Sequence, residues 1–409
     1  MTSTRKKILL LDTGREWGGG TNSMLELLKR IDRQRFAITC CFYQNYARGN
    51  QETIASVLEA IGIPVTFIAQ RRQPLWAKIT KELLRTLLFF NRAVKKNAID
   101  RIDRQWRMQP NARQIATILR DGGYDALYMN NQPSTNVEGY LAAEQTHVAL
   151  IQHCRIDPLL NNALVKMINR HCDAVIAVSQ GVHRTLSESG VDAQRCFTVS
   201  NAIDIHQPLP VREAVRQRFD YPADTFIFGS IGSLIARKSN HHILQALGAF
   251  SRAHPAAKWK MVIVGAGPEQ QHLQQLAQKE GIAAQVIFTG FQNNALDYLA
   301  AFDTFILASA SEGLPRVVLE AMLVNTAVIG SNVVGTSELI QHGETGLLFD
   351  YGNTQQLSQH LSALWQDTAL RQRLIAAAAA RVRERYSIEH YVSGVENILE
   401  NVMERKKHV

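Results

Sequence analysis

Two glutamates eight positions apart, Glu312 and Glu320, flank a stretch that could bind a phosphorylated sugar. The apolar run 303–307 predicts a buried parallel strand, and Pro315 suits the first turn of a following helix. Glu312 would then lie at the carboxyl end of a strand, where open α/β sheets bind ligands. Free N–H groups at the helix start could hold an anion, and the carboxylates suit vicinal hydroxyls. A surface glutamate and a helix glutamate favoured by the dipole would give the same spacing.

A second group of residues with suitable chemistry follows the strand-like run 226–230. After Gly232 and Ser233, the short loop carries two adjacent cations, Arg237 and Lys238. Fixed positive charge at a strand end can neutralise a diphosphate, and it can stabilise the negative charge that grows on a diphosphate leaving group. Two solvated surface cations are the alternative interpretation.

Two glycine-rich loops also precede helical patterns. Gly265 and Gly267 end a strand-like run, and such glycines let the backbone approach a phosphate or sugar, although a dinucleotide motif or a plain tight turn fits equally well. Near the N-terminus, the loop 17–23 contains Gly19 and Gly20 and is a second candidate anion site at a helix start. A side-chain N-cap, by Thr21 or Asn22, is the alternative there.

The elements that must position these residues alternate between apolar strand-like runs and helical patterns, which predicts doubly wound α/β domains. A chain of 409 residues favours two such domains. The last helical stretch, 388–403, is amphipathic. The predicted strands are 8–12, 37–43, 65–68, 126–129, 148–152, 174–178 and 196–199 in the first half, and 226–230, 260–264, 286–288, 304–307, 327–330 and 346–349 in the second.

Composition describes a soluble globular protein, with 46% hydrophobic and 20% charged residues and no apolar run long enough to span a bilayer. The five cysteines are odd in number and lack CxxC spacing, so we expect free thiols and a cytoplasmic location. The neighbours His153 and Cys154 are a weak metal candidate because adjacent strand residues point to opposite faces. No metal site is predicted.

Positive charge is concentrated in residues 71–113, which hold twelve Lys and Arg against three acidic residues. An amphipathic basic helix of this kind can lie on an anionic membrane surface. A helix that buries its apolar side in the core and exposes a solvated basic face explains the pattern equally well. The apolar stripe at helical spacing consists of Trp76, Ile79, Leu83, Leu87, Phe90 and Val94.

Taken in order, these motifs resemble the retaining glycosyltransferases of family 4, whose signature is a glutamate, seven residues and a second glutamate. The resemblance is strong over roughly 170–350 and weak over 6–30. It implies the GT-B fold: a first domain at 1–205, a second at 206–387, and a helix at 388–409 that crosses back to the first. The segment 199–204, which two prolines follow, resembles the family's interdomain turn, and we place the linker there. The supporting segments are Phe228-Gly229-Ser230-Ile231-Gly232-Ser233, Met261-Val262-Ile263-Val264-Gly265-Ala266-Gly267-Pro268, Val286-Ile287-Phe288-Thr289-Gly290-Phe291, Ala327-Val328-Ile329-Gly330-Ser331 and His342-Gly343-Glu344-Thr345-Gly346-Leu347-Leu348-Phe349.

The resemblance also implies roles for single residues. Glu320 would bind the ribose hydroxyls, Glu312 the donor sugar, and Lys238 with Arg237 the diphosphate. His153 matches the family's active-site histidine, although a lone histidine after a strand is usually structural. Other expected donor contacts are Gly19 and Gly20 from across the cleft, Gly265 and Gly267 beside the nucleotide, Phe291 at the base, and the backbone of Gly313, Leu314, Arg316 and Val317.

One position departs from the family pattern, because Ser233 stands where an arginine is usual, while a basic residue occurs at Arg237 instead. This departure puts the details of donor binding in doubt, and it leaves a catalytically silent GT-B scaffold as one alternative.

The resemblance implies transfer of a hexose-type sugar from a nucleotide diphosphate sugar, with retention of configuration and without a covalent nucleophile or a metal cofactor. Uridine is the commonest base, and the expected acceptor is a glycan or lipid-linked glycan at the inner face of the membrane. A nucleic-acid-binding module is the rival that the basic segment suggests. That rival leaves the glutamate pair unexplained, so no nucleic-acid partner is expected. A sugar-nucleotide epimerase of the same fold is a third alternative.

Overall fold

Two parallel β-sheets form the centre of the molecule, whose computed structural model describes residues 5–14, 17–49, 52–71, 74–87 and 92–407. The strands of the first half are β1 (Lys6–Asp12), β2 (Phe36–Phe42), β3 (Ala47–Arg48), β4 (Glu52–Thr53), β5 (Val65–Phe67), β6 (Ala126–Asn130), β7 (Ala149–Cys154), β8 (Ala174–Ala177) and β9 (Cys196–Thr198). Those of the second half are β10 (Phe226–Ile231), β11 (Trp259–Val264), β12 (Val286–Gly290), β13 (Thr304–Leu307), β14 (Ala327–Ser331) and β15 (Leu347–Phe349).

The strand order of each sheet reverses direction once, and open α/β sheets bind ligands in the crevice at such a point. The first sheet runs β5-β2-β1-β6-β7-β8-β9 and the second β12-β11-β10-β13-β14-β15, while β3 and β4 form a separate antiparallel hairpin. In β1, Leu9 and Leu11 join one apolar cluster and Ile8 and Leu10 another, so both faces of the sheet are buried. This explains why the strands are continuous apolar runs. The predicted doubly wound α/β architecture is confirmed.

Helices connect the strands and cover the sheets. They are α1 (Gly19–Arg30), α2 (Ile54–Ala60), α3 (Leu75–Leu87), α4 (Arg92–Asp103), α5 (Gln109–Gly122), α6 (Val137–Thr146), α7 (Asn162–His171), α8 (Gln180–Glu188), α9 (Arg212–Arg218), α10 (Asn240–Ala253), α11 (Gln270–Lys279), α12 (Ala295–Ala301), α13 (Arg316–Leu323), α14 (Thr336–Leu339), α15 (Thr354–Gln366), α16 (Thr368–Arg385) and α17 (Ile388–Lys407). A π-helical turn, Arg104–Met108, joins α4 to α5.

The last helix, α17, packs on the first sheet, as the resemblance predicted. Its buried residues Ile388, Val395 and Leu399 belong to the same apolar cluster as Ile8 and Leu10 of β1. The chain therefore passes between the two sheets twice. The two crossings run side by side, since Ile203 and Ser387 form a parallel bridge.

The basic segment forms α3, α4, the π-helical turn and α5, and the apolar stripe of α3 is exposed. Trp76 is 49%, Ile79 60% and Leu83 56% exposed, and Ala77 is the one buried residue of the helix. The alternative that this stripe packs in the core is therefore wrong for the described residues. Of the remaining stripe positions, Leu87 is also exposed, while Phe90 and the side chain of Val94 lie outside the described residues.

None of the helices in the described ranges is both long and apolar enough to cross a membrane.

The five cysteines are free and buried. Burial raises the pKa of these thiols, that of Cys196 to about 11, so they remain protonated at neutral pH.

Candidate functional site

A buried carboxylate paired with two cations lies where β10 and β13 end. Glu312 follows β13, while Arg237 and Lys238 form a 3₁₀ turn after β10. Because β10 and β13 are neighbours in the sheet, residues 74 positions apart in the chain meet. Oε1 of Glu312 lies 2.7 Å from Nζ of Lys238 and 3.3 Å from Nη1 of Arg237. The structure thus brings these three predicted site residues together.

The two cations determine the ionisation of this carboxyl group. Burial opposes the charged form of Glu312, but the charges of Lys238 and Arg237 outweigh it and lower the pKa below its ordinary value. Glu312 is therefore a carboxylate at neutral pH. Such a group can accept hydrogen bonds from sugar hydroxyls while its cations face a neighbouring anion.

The loop that carries Glu312 is fixed by backbone contacts and leads into α13. Arg237 Nη1 donates to the carbonyl of Ser311 at 2.5 Å, and the N–H of Ala310 donates to the carbonyl of Arg237 at 2.8 Å. Helix α13 has Pro315 as its N-cap residue and no side-chain cap, so its first N–H groups are not satisfied by a capping side chain. The helix start is therefore suited to an anion.

The other predicted residues of this loop contribute in different ways. Glu320 is half-buried in α13, with Oε1 3.6 Å from Nη2 of Arg316. The Arg316 side chain is directed to the linker, where Nη1 donates to the carbonyl of Ala202 at 3.1 Å. The side chains of Leu314 and Val317 pack against the core. A ligand could therefore contact Leu314, Arg316 and Val317 through their backbone, as the resemblance implies.

The glycines after β10 and β11 allow two loops to touch. Gly265 has a φ of +140°, and a side chain there would overlap the carbonyl oxygen of Gly232, while one on Gly267 would overlap that of Leu234. Close packing of the two loops thus requires both glycines, and their expected contact with a nucleotide stays a prediction. Ser233 lies exposed at the same strand end. Position 233 therefore lacks the cation that the family pattern has there.

Phe291 lies at the rim of the crevice, after the end of β12. Its ring is 43% exposed and faces the separate β3–β4 hairpin of the first half, where a Cβ atom built on Gly49 would lie 3.2 Å from the ring. On the hairpin, Arg48 stacks over Trp17 at 5.0 Å. The rim is therefore aromatic on both sides.

Helix α1 begins at Gly19 with Gly18 as its N-cap residue, and no side chain caps it. The alternative that Thr21 or Asn22 caps the helix is therefore wrong, since Asn22 Oδ1 instead accepts from Trp17 Nε1 at 2.9 Å. Gly18 and Gly19 face open space, and a Cβ on Gly20 would lie 3.5 Å from Arg155 Cγ.

Residue 155 also contacts the loop of Glu312, because a side chain on Gly313 would overlap the Arg155 carbonyl oxygen. The start of α1 and the loop of Glu312 thus meet at Arg155.

His153 is fully buried rather than exposed in the crevice. Its Nδ1 shares a short hydrogen bond with the hydroxyl of Tyr128, and its ring packs 6.3 Å from that of Tyr391 on α17. Burial, together with the charge of Arg155, lowers its pKa well below the ordinary value, so the imidazole is neutral at neutral pH. The catalytic role that the resemblance implies for His153 stays a prediction, and in this conformation solvent does not reach the ring.

Sequence reasoning missed a buried polar cluster beside the crevice. Arg155 donates from Nε to Oδ1 of Asn130 at 2.7 Å and from Nη2 to the hydroxyl of Tyr391 at 3.0 Å. Asn130 in turn donates to Asp12 at 2.5 Å, and Asn201 of the linker contacts Arg155 from the other side. The available signal was a polar residue at the end of each of three apolar runs.

Two facing parallel sheets with a helix that returns to the first, and a carboxylate paired with two cations at the strand ends of the second, are the features of a GT-B fold. The model of the family described as "Glycosyl transferases group 1" matches residues 211–381, and that of "Glycosyltransferase Family 4" matches residues 17–207. The chain therefore belongs to the family 4 glycosyltransferases.

Two curated relatives come from Rhizobium meliloti. The lipopolysaccharide core biosynthesis glycosyltransferase LpsE is 28% identical over 205 residues, which are 50% of this chain and 57% of LpsE. The lipopolysaccharide core biosynthesis glycosyltransferase LpsD is 31% identical over 178 residues, 44% of this chain and 50% of LpsD. The chain thus spans about half the length of these two relatives.

A crystal structure of Anabaena Alr3699/HepE in complex with UDP-glucose superimposes with a TM-score of 0.78. The superposition covers 97% of this chain and 99% of HepE at 23% identity. The two proteins are therefore alike in fold.

Proposed function

We propose that this protein is a retaining glycosyltransferase that moves a hexose-type sugar from a UDP-sugar to a glycan or lipid-linked glycan of a bacterial surface polysaccharide. The observation that carries the proposal is the buried Glu312 carboxylate held by Lys238 and Arg237, directly before the uncapped start of α13. These groups provide what a sugar diphosphate requires: hydrogen-bond acceptors for hydroxyls and positive charge for phosphates.

The mechanism that follows needs no covalent nucleophile. Negative charge grows on the diphosphate as the glycosidic bond breaks, and the fixed charges of Lys238 and Arg237 stabilise it. Glu312 holds the sugar, Glu320 the ribose hydroxyls, and the leaving phosphate accepts the acceptor's proton on the same face. The protein supplies proximity and orientation. We expect transfer to persist in a chelator, because these cations and the helix starts carry the neutralising charge.

Three similar proteins favour this substrate class. The HepE crystal structure, of the same fold, is a complex with UDP-glucose, which motivates a uridine nucleotide. LpsE and LpsD are named for lipopolysaccharide core biosynthesis, which motivates a surface glycan as acceptor.

Ligand-induced stabilisation tests the donor site. UDP should raise the melting temperature of the wild type more than GDP, ADP or NAD, because a ligand at a hundredfold excess over its Kd stabilises the native state by about 2.7 kcal/mol. Glu320→Ala should lose most of this effect, whereas Glu384→Ala, at an exposed position of α16, should keep it. Product anomeric configuration, read by NMR coupling constants, tests retention. Stabilisation by a short RNA but by no nucleotide would overturn the proposal.

We further propose that the exposed stripe of α3 rests on an anionic membrane surface, which would bring a lipid-linked acceptor to the crevice. The ring of Trp76 contacts that of Trp106 edge-on, with 4.7 Å between the ring centroids, so α3 and the π-helical turn form one surface. Twelve cations lie between 71 and 113 against three acidic residues, so this surface is complementary to anionic lipid. Apolar insertion and charge attraction then act together.

Co-sedimentation with vesicles tests the membrane surface. The wild type should bind phosphatidylcholine vesicles that contain phosphatidylglycerol, and salt should weaken binding because it screens the charges. Trp76→Glu combined with Leu83→Glu should abolish it. The control, Val211→Glu combined with Ile287→Glu, adds the same charge at exposed apolar positions of the second half and should bind normally. Equal binding to neutral vesicles at high salt, or a dimer in solution that the first pair dissociates, would contradict the proposal.

A further inference from the structure

Asn201, in the linker between the two sheets, joins the two sides of the crevice. Its side chain is buried, and both ends of its amide are hydrogen-bonded. Nδ2 donates to the carbonyl oxygen of Leu314 at 2.9 Å, and Oδ1 accepts from Nη1 of Arg155 at 3.4 Å. One amide thus contacts the end of β7 and the loop that carries Glu312.

On the first-domain side, the partner of Asn201 is a cation held by neutral groups. Arg155 is 5% exposed, and none of the ion pairs within the described residues includes it. Asn130 and the Tyr391 hydroxyl accept two further hydrogen bonds from its guanidinium, and that hydroxyl donates to the carbonyl of Ser23 in α1. Arg155 is therefore anchored to β6, α17 and, through Tyr391, α1, so the position of Asn201 Oδ1 is set by the first domain.

On the second-domain side, Asn201 contacts the residue that lies two positions after Glu312. The preceding residue, Gly313, is enclosed by backbone, since a side chain there would overlap the Arg155 carbonyl oxygen, and one on Gly335 would overlap the Gly313 carbonyl oxygen. The 313–314 segment therefore has little freedom to shift on these sides. The Asn201 amide adds the directional contact, which fixes the orientation of the Leu314 carbonyl.

We propose that Asn201 is a positioning residue, which transmits the placement of the first domain to the peptide groups beside Glu312 and so aligns them with the donor sugar. The inference rests on the proposed function, because it assumes that a donor sugar binds at this loop. An amide suits this position because it can accept from a guanidinium and donate to a carbonyl at once, whereas a carboxylate only accepts. Stability and catalysis can therefore be separated by one substitution.

Asn201→Asp and Asn201→Ala test the proposal together. In Asn201→Asp, the carboxylate gains a charge-assisted hydrogen bond with Arg155. The same carboxylate faces the Leu314 carbonyl without a proton to donate. This variant should therefore melt above Asn201→Ala, yet release UDP from the preferred UDP-sugar no faster than Asn201→Ala. Both variants should lose about 10- to 100-fold in kcat, the scale of a misplaced reacting group. The Kd of UDP should stay within about twofold, because Asn201 touches no predicted nucleotide contact apart from the Leu314 carbonyl.

Asn169→Ala is the matched control. Asn169 is half-buried and also uses both ends of its amide, but it joins two backbone groups within the first domain alone: Nδ2 donates to the Gly190 carbonyl and Oδ1 accepts from the Asp192 N–H, each at 2.9 Å. Its melting temperature should fall without loss of kcat. If Asn201→Asp does not fold, the comparison of Asn201→Ala with Asn169→Ala decides.

The outcomes separate the two hypotheses. Wild-type kcat in both Asn201 variants, or activity that simply follows melting temperature across all three variants, would overturn the positioning role while the proposed function stands. Wild-type protein that neither binds UDP nor cleaves any UDP-sugar would overturn the proposed function itself, and the inference with it.

Discussion

Replacement of Lys238 by methionine should lower kcat for sugar transfer by about 10²- to 10³-fold, the cost of losing one preorganised charge at a developing anion. Methionine keeps much of the length of the side chain but removes the ammonium group that lies 2.7 Å from Glu312. Breaking a buried ion pair costs about 3–5 kcal/mol, of which Arg237 offsets a part, so the melting temperature should fall as well. Rates should therefore be measured well below that temperature.

The same substitution should shift the pH dependence in a defined direction. In the wild type, Lys238 and Arg237 lower the pKa of Glu312 against the effect of burial. The ionised Glu312 therefore stabilises the fold above the ordinary pKa of 4.5, and this contribution is lost as the pH falls through the lower, folded value. Without Lys238, burial is less opposed and the pKa rises. The acid limb of kcat/KM should move to higher pH.

Lys258→Met is the control for this prediction. Lys258 also forms a lysine–carboxylate pair, with Asp224 at 2.5 Å, but at the exposed surface of the second domain. Its replacement should leave both kcat and the acid limb unchanged. A Lys238→Met enzyme with an unshifted limb and a kcat within a few-fold of wild type would show that Lys238 is not part of the catalytic group.

Gly313→Ala should lower kcat by about 10²-fold or more, because it displaces the loop of Glu312 from the first domain. The new Cβ would overlap the Arg155 carbonyl oxygen and lie 2.8 Å from the Cα of Ile156, and both are backbone atoms that cannot rotate away. The loop must therefore move, and the hydrogen bond between Asn201 and the Leu314 carbonyl should be lost with it. Steady-state kinetics would measure the loss of kcat. Small-angle scattering would show whether the loop displacement also moves the second domain relative to the first.

Gly394→Ala provides the comparison. This glycine lies in α17, and the atoms nearest to an added Cβ belong to the Val199 side chain, the closest at 3.1 Å. Small side-chain adjustments can absorb that contact, and alanine is the better helix former by about 1 kcal/mol. Near-normal kcat is expected. If Gly313→Ala behaves in the same way, then the contact between the loop and Arg155 does not position the site.

The central strands of both sheets were predictable because they are buried on both faces, so each is a continuous apolar run such as that of β1 or β13. The β3–β4 hairpin was missed, since two-residue strands have no periodicity to detect. The side of α3 that meets solvent could not be predicted either. A stripe such as Trp76, Ile79 and Leu83 has the same helical spacing whether it is buried or exposed, and only the packing of neighbouring elements decides.

Within the site, the sequence located Glu312, Arg237 and Lys238, and the resemblance implied that they share a ligand. The distances between these residues could not be predicted without the strand order, since two intervening strands separate β10 from β13 in the chain. The cluster around Arg155 was not predicted, because its members come from three strand ends, the linker and α17. His153 was selected by position alone, and its complete burial has no signature in sequence.

The return of α17 to the first sheet has a consequence for chimeras of this protein. Residues that close the apolar core around β1 are encoded after the second sheet, so a first half cut near residue 205 would expose that core to water. An exchange of donor specificity with a relative should therefore replace the middle of the chain as an insert, with both ends retained. The paired crossings at Ile203 and Ser387 offer adjacent junctions for such an insert.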